Sequence, residues 1–328
     1  MSDRTSSTGW AVREEMSMSV GQLICNDLGK VYDGGKRALS SVSFSVPTEG
    51  IFSIIGRNGA GKTTLVRILA TLLEPSYGTA SIDGLDVMED ADELRTRMAI
   101  VPQEGRPLPW LTPLQTISSY LMWRGESYRV SRRKAEEALA LVGLEDVRDR
   151  LNYKLSGGMK RKSLLAMVMA SDAEIIFLDE PTTGLDPISR QVVWDLLSRL
   201  SRDRFVFLTT HYLEEAESVA GRIGIFEEGS LLALGNMDEL RASMRYQYSV
   251  RVSSGIELPE VDGRVLKGRD GRVQILTTRE EAVRLSDQFI GRDIRFSVNP
   301  VTLDDIFYHL AGREIHNYEE DGEGGGWP

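Results

Sequence analysis

Gly56-Arg57-Asn58-Gly59-Ala60-Gly61-Lys62-Thr63-Thr64 follows the run Ile51-Phe52-Ser53-Ile54-Ile55 and precedes Leu65-Val66-Arg67-Ile68-Leu69-Ala70. The first run reads as a buried strand and the last as a helix without a breaker. Glycine, four residues, then Gly-Lys-Thr is the spacing of a phosphate loop, and strand-turn-helix is the context it needs. The glycines let backbone N–H groups converge on a phosphate, and the helix start adds a favourable dipole. Lys62 is placed to reach β- and γ-phosphates, and the Thr63 hydroxyl to ligate Mg²⁺. Arg57, Asn58, Gly59, Ala60, Gly61 and Thr64 complete the expected nucleotide-contacting set. The expected ligand is a nucleoside triphosphate.

Composition narrows the class. A chain of 328 residues suggests about two domains. Hydrophobic and charged shares of 41% and 27% are those of an ordinary soluble protein. The net charge of -10 argues against binding nucleic acid through a basic surface. The single cysteine, Cys25, has no partner for an internal disulfide, and in Leu23-Ile24-Cys25 it reads as a small buried hydrophobe. No apolar run is long enough to span a membrane, so direct insertion is not expected. Residues 1–19, rich in Ser and Thr with Glu14 and Glu15, read as a disordered tail and not a secretory signal. The acidic, Gly-rich residues 314–328 read as a solvated tail.

Between the tails, strands and turns are expected from Val20 to about Val46, with Asp33-Gly34-Gly35 a turn. Further strands are expected at Thr79–Ile82 and Met98–Pro102. Helical periodicity fills about 107–170, with Ala138, Leu139, Leu141, Val142 and Leu144 as apolar positions. Continuous apolar runs return at Ile175–Leu178 and Phe205–Leu208, as parallel strands covered on both faces require. Beyond Glu239 the pattern is a small α+β unit. Tyr246–Val252, Arg272–Leu276 and Asp293–Val298 read as strands, Arg279–Phe289 and Thr302–Leu310 as helices, with Thr302 an N-cap.

Ile175-Ile176-Phe177-Leu178 delivers two adjacent carboxylates, Asp179 and Glu180. In a strand these side chains point to opposite faces, so Asp179 can meet a metal while Glu180 faces an attacking water. By itself the run is equally a strand meeting a solvated loop.

Three further motifs decide between these: Leu155-Ser156-Gly157-Gly158-Met159, Pro181-Thr182-Thr183-Gly184-Leu185-Asp186, and His211 after Leu208-Thr209-Thr210. In combination the chain from Val20 to Met237 resembles the ATP-hydrolysing subunit of ABC transporters. The resemblance implies an α/β P-loop NTPase core (residues 20–238) with an antiparallel β-subdomain and a helical subdomain at about 107–170. A small α+β domain at 239–313 follows. It also implies ATP and Mg²⁺ as ligands, and hydrolysis to ADP and phosphate.

Carried over residue by residue, Glu180 activates water, His211 contacts the γ-phosphate, and Asp179, Thr63 and Gln103 serve the metal. Tyr32 stacks on adenine. Ser156, Gly157, Gly158 and Met159 form the signature that reads the nucleotide of a second subunit, and Asp186 links the two sites. The implied partners are a second copy and a separate membrane permease that holds the chain at the cytoplasmic face. Nucleic acid is not an expected partner.

Two departures stand out. Met159-Lys160-Arg161-Lys162 replaces the more usual Gln after the signature and is familiar among exporters. Arg106–Pro113 is richer in proline than usual in the region that approaches the permease. The C-terminal extension ending Val301-Thr302-Leu303-Asp304-Asp305-Ile306-Phe307 is similar to that of drug- and antibiotic-exporter ATPases. It carries no nucleotide or metal motif, so its removal is expected to leave the ATPase core covered. The alternatives are a soluble ABC ATPase of translation or DNA repair, and an importer subunit. The first usually carries two cassettes, coiled coils or zinc motifs, which are not seen here.

Overall fold

Two antiparallel strands lead into the phosphate loop, β1 (Gln22–Val31) and β2 (Arg37–Pro47), joined through the expected turn at Asp33-Gly34-Gly35. The computed structural model describes residues 21–252, 259–267 and 273–311, so both expected tails lie outside the described residues. Next come β3 (Ile51–Gly56), α1 (Lys62–Leu69), β4 (Tyr77–Ile82) and β5 (Leu85–Asp86). The strands β2, β1, β4 and β5, in that order, make an antiparallel sheet. Cys25 lies in β1 at 1% exposure, and burial pushes its thiol pKa up, so it packs as a hydrophobe.

The chain then runs through α2 (Ala91–Arg97) and β6 (Met98–Val101) into three helices, α3 (Pro113–Trp123), α4 (Tyr128–Leu141) and α5 (Gly157–Ala170). Thr112 starts α3 with a reciprocal capping box to Gln115 and a proline in the first turn. Leu114, Ile117, Leu121, Ala135, Leu139 and Ala166 bury the faces these helices share. This is the helical unit expected at about 107–170.

The core resumes with β7 (Ile175–Asp179), α6 (Pro187–Leu200), β8 (Phe205–Thr210), α7 (Leu213–Val219), β9 (Arg222–Glu227) and β10 (Ser230–Gly235). The six-stranded sheet has the order β10-β9-β3-β8-β7-β6. It is parallel except for β10, which returns antiparallel to β9. Every residue of β3, β7 and β8 is buried, which is why these strands read as unbroken apolar runs. Phe207 packs between Phe52 and Phe177, with ring centroids 5.4 and 5.5 Å away. The order has a direct consequence. The phosphate loop, the Glu180 loop, His211 and Gln103 all issue from the carboxyl ends of neighbouring strands β3, β7, β8 and β6. That edge is where open α/β sheets bind ligands.

After α8 (Met237–Ser243) come β11 (Tyr248–Val252), β12 (Gly263–Lys267), β13 (Val273–Thr277), α9 (Arg279–Gly291), β14 (Phe296–Pro300) and α10 (Leu303–Ala311). The sheet β12-β13-β11-β14 is antiparallel. Val250, Val252, Val273 and Ile275 face Leu285 and Phe289 of α9. Leu276, on the opposite face, joins Leu303, Ile306 and Phe307 of α10. Thr302 and Asp305 cap α10 as expected, each side chain accepting from the other residue's backbone N–H.

The packing of α10 overturns one expectation. Leu303, Ile306 and Phe307 share one buried cluster with Ile55, Leu213, Ala216, Ile223, Ile225 and Leu240. Arg241 Nε adds a hydrogen bond to the Val301 carbonyl at 3.0 Å. Removing the C-terminal unit would therefore uncover part of the core that carries the phosphate loop, and a cut at Leu240 would fall inside α8. Among the described residues no helix is long and apolar enough to cross a membrane.

Candidate nucleotide site

The phosphate loop takes its shape from its glycines. Gly61 has φ 103° and caps α1, and a Cβ there would meet the Ala38 carbonyl oxygen at 2.4 Å. Gly56 lies so close to β9 that a Cβ would meet the Phe226 carbonyl oxygen at 2.4 Å. No larger residue fits either position. Lys62 folds back under the loop, donating to the carbonyls of Gly56 at 2.8 Å and Arg57 at 3.1 Å. Burial lowers its pKa, and the Glu180 and Asp179 carboxylates oppose that shift.

Glu180 gathers the other parts. Its carboxylate lies 3.4 Å from Lys62 Nζ, and Gln103 Nε2 and Thr183 Oγ1 donate to it at 3.0 and 3.2 Å. His211 Nδ1 is 3.1 Å from the same carboxylate but off the line a good hydrogen bond needs. Burial acts to raise the Glu180 pKa. The His211 ring and the Lys62 charge outweigh it and hold the group at about 2. The carboxylate is therefore ionised at any ordinary pH.

The way Glu180 reaches this position differs from strand alternation. β7 ends at Asp179, and Glu180 has φ 50°, in the left-handed region. Its direction comes from that turn, not from the pleat, and such backbone at a reactive residue is stored strain. The Glu180 N–H is tied to the Thr209 carbonyl at 3.0 Å. The Thr209 hydroxyl donates to Asp179 Oδ1 at 2.5 Å. β8 therefore fixes both carboxylate residues.

One cleft is lined by Tyr32, Asn58, Lys62, Thr63, Gln103 and Glu180, with Gly59, Gly61 and Thr64 in its wall. The Tyr32 hydroxyl is 3.2 Å from Thr64 Oγ1. Lys36 also lines the cleft and was not singled out from sequence.

The signature lies elsewhere on the chain. Ser156 caps α5, accepting from the Met159 N–H at 3.2 Å, and both Ser156 and Gly157 are exposed. Gly158 approaches Leu185, while the Met159 side chain packs against the helical unit. Asp186 is exposed and caps α6, accepting from the Ser189 N–H at 2.9 Å. None of these five is among the residues lining the cleft.

Other residues that build the site were missed. Buried Arg161 donates to five backbone carbonyls, those of Pro102, Gln103, Asp179, Glu180 and Pro181. In sequence it sits within Lys160-Arg161-Lys162, noted above only as a departure after the signature. Behind His211, the Arg190 guanidinium lies 3.9 Å from the Tyr212 ring centre, and Tyr212 lies 4.1 Å from the His211 ring. Fully buried Glu215 accepts from Trp194 Nε1 at 3.2 Å, and burial pushes its pKa up.

Comparison with known proteins agrees with this geometry. A model of the ABC transporter family matches residues 39–183. The daunorubicin/doxorubicin resistance ATP-binding protein DrrA of Streptomyces peucetius is 40% identical over 300 residues, spanning 87% of this chain and 91% of that protein. The chain belongs to the ABC transporter family. ABC transporter A family member 8 of Arabidopsis thaliana is 36% identical over 242 residues, 72% of this chain and 27% of that protein. The chain thus spans about a quarter to a third of the plant relatives it matches. Among solved structures, a dimeric ATP-binding cassette in a post-hydrolysis state with ADP and phosphate aligns with TM-score 0.61. It is 26% identical and covers 66% of this chain and 98% of its own. The α/β P-loop fold is that of an ABC cassette.

Proposed function

We propose that this chain is the ATP-hydrolysing, energy-coupling subunit of an ABC exporter for drug-like or hydrophobic compounds. It works as a dimer on a separate membrane permease at the cytoplasmic face. The observation that carries the reading is the convergence of Gln103, Thr183, His211 and Lys62 on the Glu180 carboxylate. Glu180 orients and deprotonates the attacking water, His211 and Lys62 stand over the γ-phosphate, and Tyr32 takes the adenine. Catalysis is then positioning plus electrostatics, as phosphoryl transfer demands.

The residues present fit Mg²⁺. Thr63, Gln103 and Asp179 offer hydroxyl, amide and carboxylate oxygens, the hard donors this ion prefers. Among the described residues no group of three His, Cys, Asp or Glu could hold a metal by itself. When bound, Mg²⁺ would neutralise charge on the β- and γ-phosphates. The exposed Ser156 and Gly157, at a capped helix start, are suited to receive the phosphate held by a second copy. The name of the Streptomyces relative supports drug export as the work done.

The deciding experiment measures ATP turnover, co-purification with a membrane partner, and efflux of anthracycline-type compounds from cells expressing both chains. Turnover without any membrane partner would favour a soluble ABC ATPase. Uptake dependent on a solute-binding protein would favour an importer.

A further inference from the structure

We propose that Arg161 is a positioning residue that carries movement of the signature helix into the Gln103 and Glu180 loops. A guanidinium has five N–H donors in a fixed fork and no acceptor. Arg161 places one donor on each of five carbonyls. Nε meets Pro181 at 3.0 Å, Nη1 meets Pro102 at 2.8 and Gln103 at 3.3 Å, and Nη2 meets Asp179 at 2.7 and Glu180 at 2.8 Å. The side chain is 7% exposed, so each of those bonds stands in place of water that cannot reach it.

The acceptors define what the residue does. Pro102 and Gln103 lie just past β6, and Asp179, Glu180 and Pro181 run from the end of β7 into its loop. All five lie outside the phosphate loop. Gln103 Nε2 and Glu180 Oε2 meet at 3.0 Å, so Arg161 holds the backbones of two residues whose side chains meet in the cleft. Its own backbone belongs to the first turns of α5, the helix that Ser156 caps. A displacement at the Ser156 end of α5 moves the Arg161 fork with it, and both loops must follow or release bonds. Lysine has three donors on one atom and cannot span two loops; alanine has none.

The inference rests on the reading of Glu180 as the water-orienting residue. It predicts a defect in turnover and not in the affinity for ATP measured without Mg²⁺, because the five acceptors include two of the proposed metal donors, Gln103 and Asp179, but no residue of the phosphate loop and not Tyr32. The test compares ATP binding without Mg²⁺ and steady-state hydrolysis for the full wild-type chain, Arg161→Ala, Arg161→Lys and Glu180→Gln. Arg161→Ala should lower kcat by about 100-fold, the cost of a misplacement near 1 Å. Its ATP affinity without Mg²⁺ should stay within about threefold of wild type. Arg161→Lys should fall between, and added guanidinium ion at non-denaturing concentration should restore part of the alanine variant's kcat.

A kcat for Arg161→Ala within about threefold of wild type overturns the proposal. So does an Arg161→Lys protein, folded by circular dichroism, that loses ATP binding and kcat together, since the residue would then only hold the fold. If Arg161→Ala does not fold, the lysine variant decides: lowered kcat at wild-type affinity supports the proposal, and unchanged kcat overturns it. Wild-type turnover in Glu180→Gln is a separate result that withdraws the role of Glu180 itself.

Discussion

Lys62 and Glu180, each 4% exposed, face one another at 3.4 Å across the gap between the phosphate loop and the end of β7. The pair joins the residue that would hold the γ-phosphate to the residue that would activate water. Deleting one member of a buried pair leaves the other charge uncompensated, so conservative replacement is the cleaner probe.

Glu180→Gln keeps the shape of the side chain and an oxygen for Gln103 and Thr183. It should bind ATP and lose about 10²–10⁴-fold in turnover, the usual range for a positioned base. ATP should then hold a dimer visible as doubled mass in size-exclusion chromatography. Wild-type turnover in this variant would remove Glu180 from its role.

The same pair sets a pH response. Glu180 is held at about 2 against an ordinary 4.5, so its folded pKa is depressed. Its contribution to stability is complete above 4.5 and is lost as pH falls from there towards 2. Lys62→Met removes the opposing cation, which should raise the Glu180 pKa and move the acid loss of stability to higher pH. Urea midpoints measured across the acid range for both proteins test this. Coincident acid limbs would mean that Lys62 does not hold the carboxylate down.

Each cleft is expected to need a signature from a second copy. Lys62→Ala should weaken nucleotide binding within a chain. Ser156→Arg should leave single-chain ATP binding near normal and block dimer closure. Mixing the two inactive proteins should restore some turnover, since one composite site would contain an intact phosphate loop and an intact signature. Failure of Ser156→Arg to bind ATP at all would place the signature in its own chain's site.

The shared core beneath α7 gives a stability prediction. Phe307 is 1% exposed and packs with residues of β9 and α7, so Phe307→Ala should cost about 3–5 kcal/mol. Denaturant unfolding should show one transition that shifts as a whole. A chain ending before Leu240 should be much less stable or aggregate, because Leu213, Ala216 and Ile223 lose their cover. A stable, ATP-binding truncation would show that this cover is dispensable.

The sheet's central strands were legible because β3, β7 and β8 are buried on both faces and carry unbroken apolar runs. The phosphate loop was legible because its glycines are sterically required. The strands β5, β9, β10 and β12 and the helices α2, α6, α7 and α8 went unread. β9 is interrupted by Gly224, β10 is only partly covered, and β12 is an edge strand whose Val265 is 40% exposed. Arg161 was invisible for a different reason. A basic run has no periodicity that separates its buried member from the half-buried ones on either side, Lys160 and Lys162. The turn at Glu180 was not legible because alternation assumes the strand continues, and it stops one residue earlier.

Ser156 and Gly157 stand exposed and outside the lining of the cleft, and this bears on how the protein is assayed. If two copies must meet to complete a site, activity per milligram is not a constant of the material. It should climb with chain concentration and level off only when most molecules are paired. A permease that holds two copies side by side would remove that dependence, setting a high local concentration in place of the bulk one. Dilution, not inhibition, would then be the simplest way to switch the free protein off.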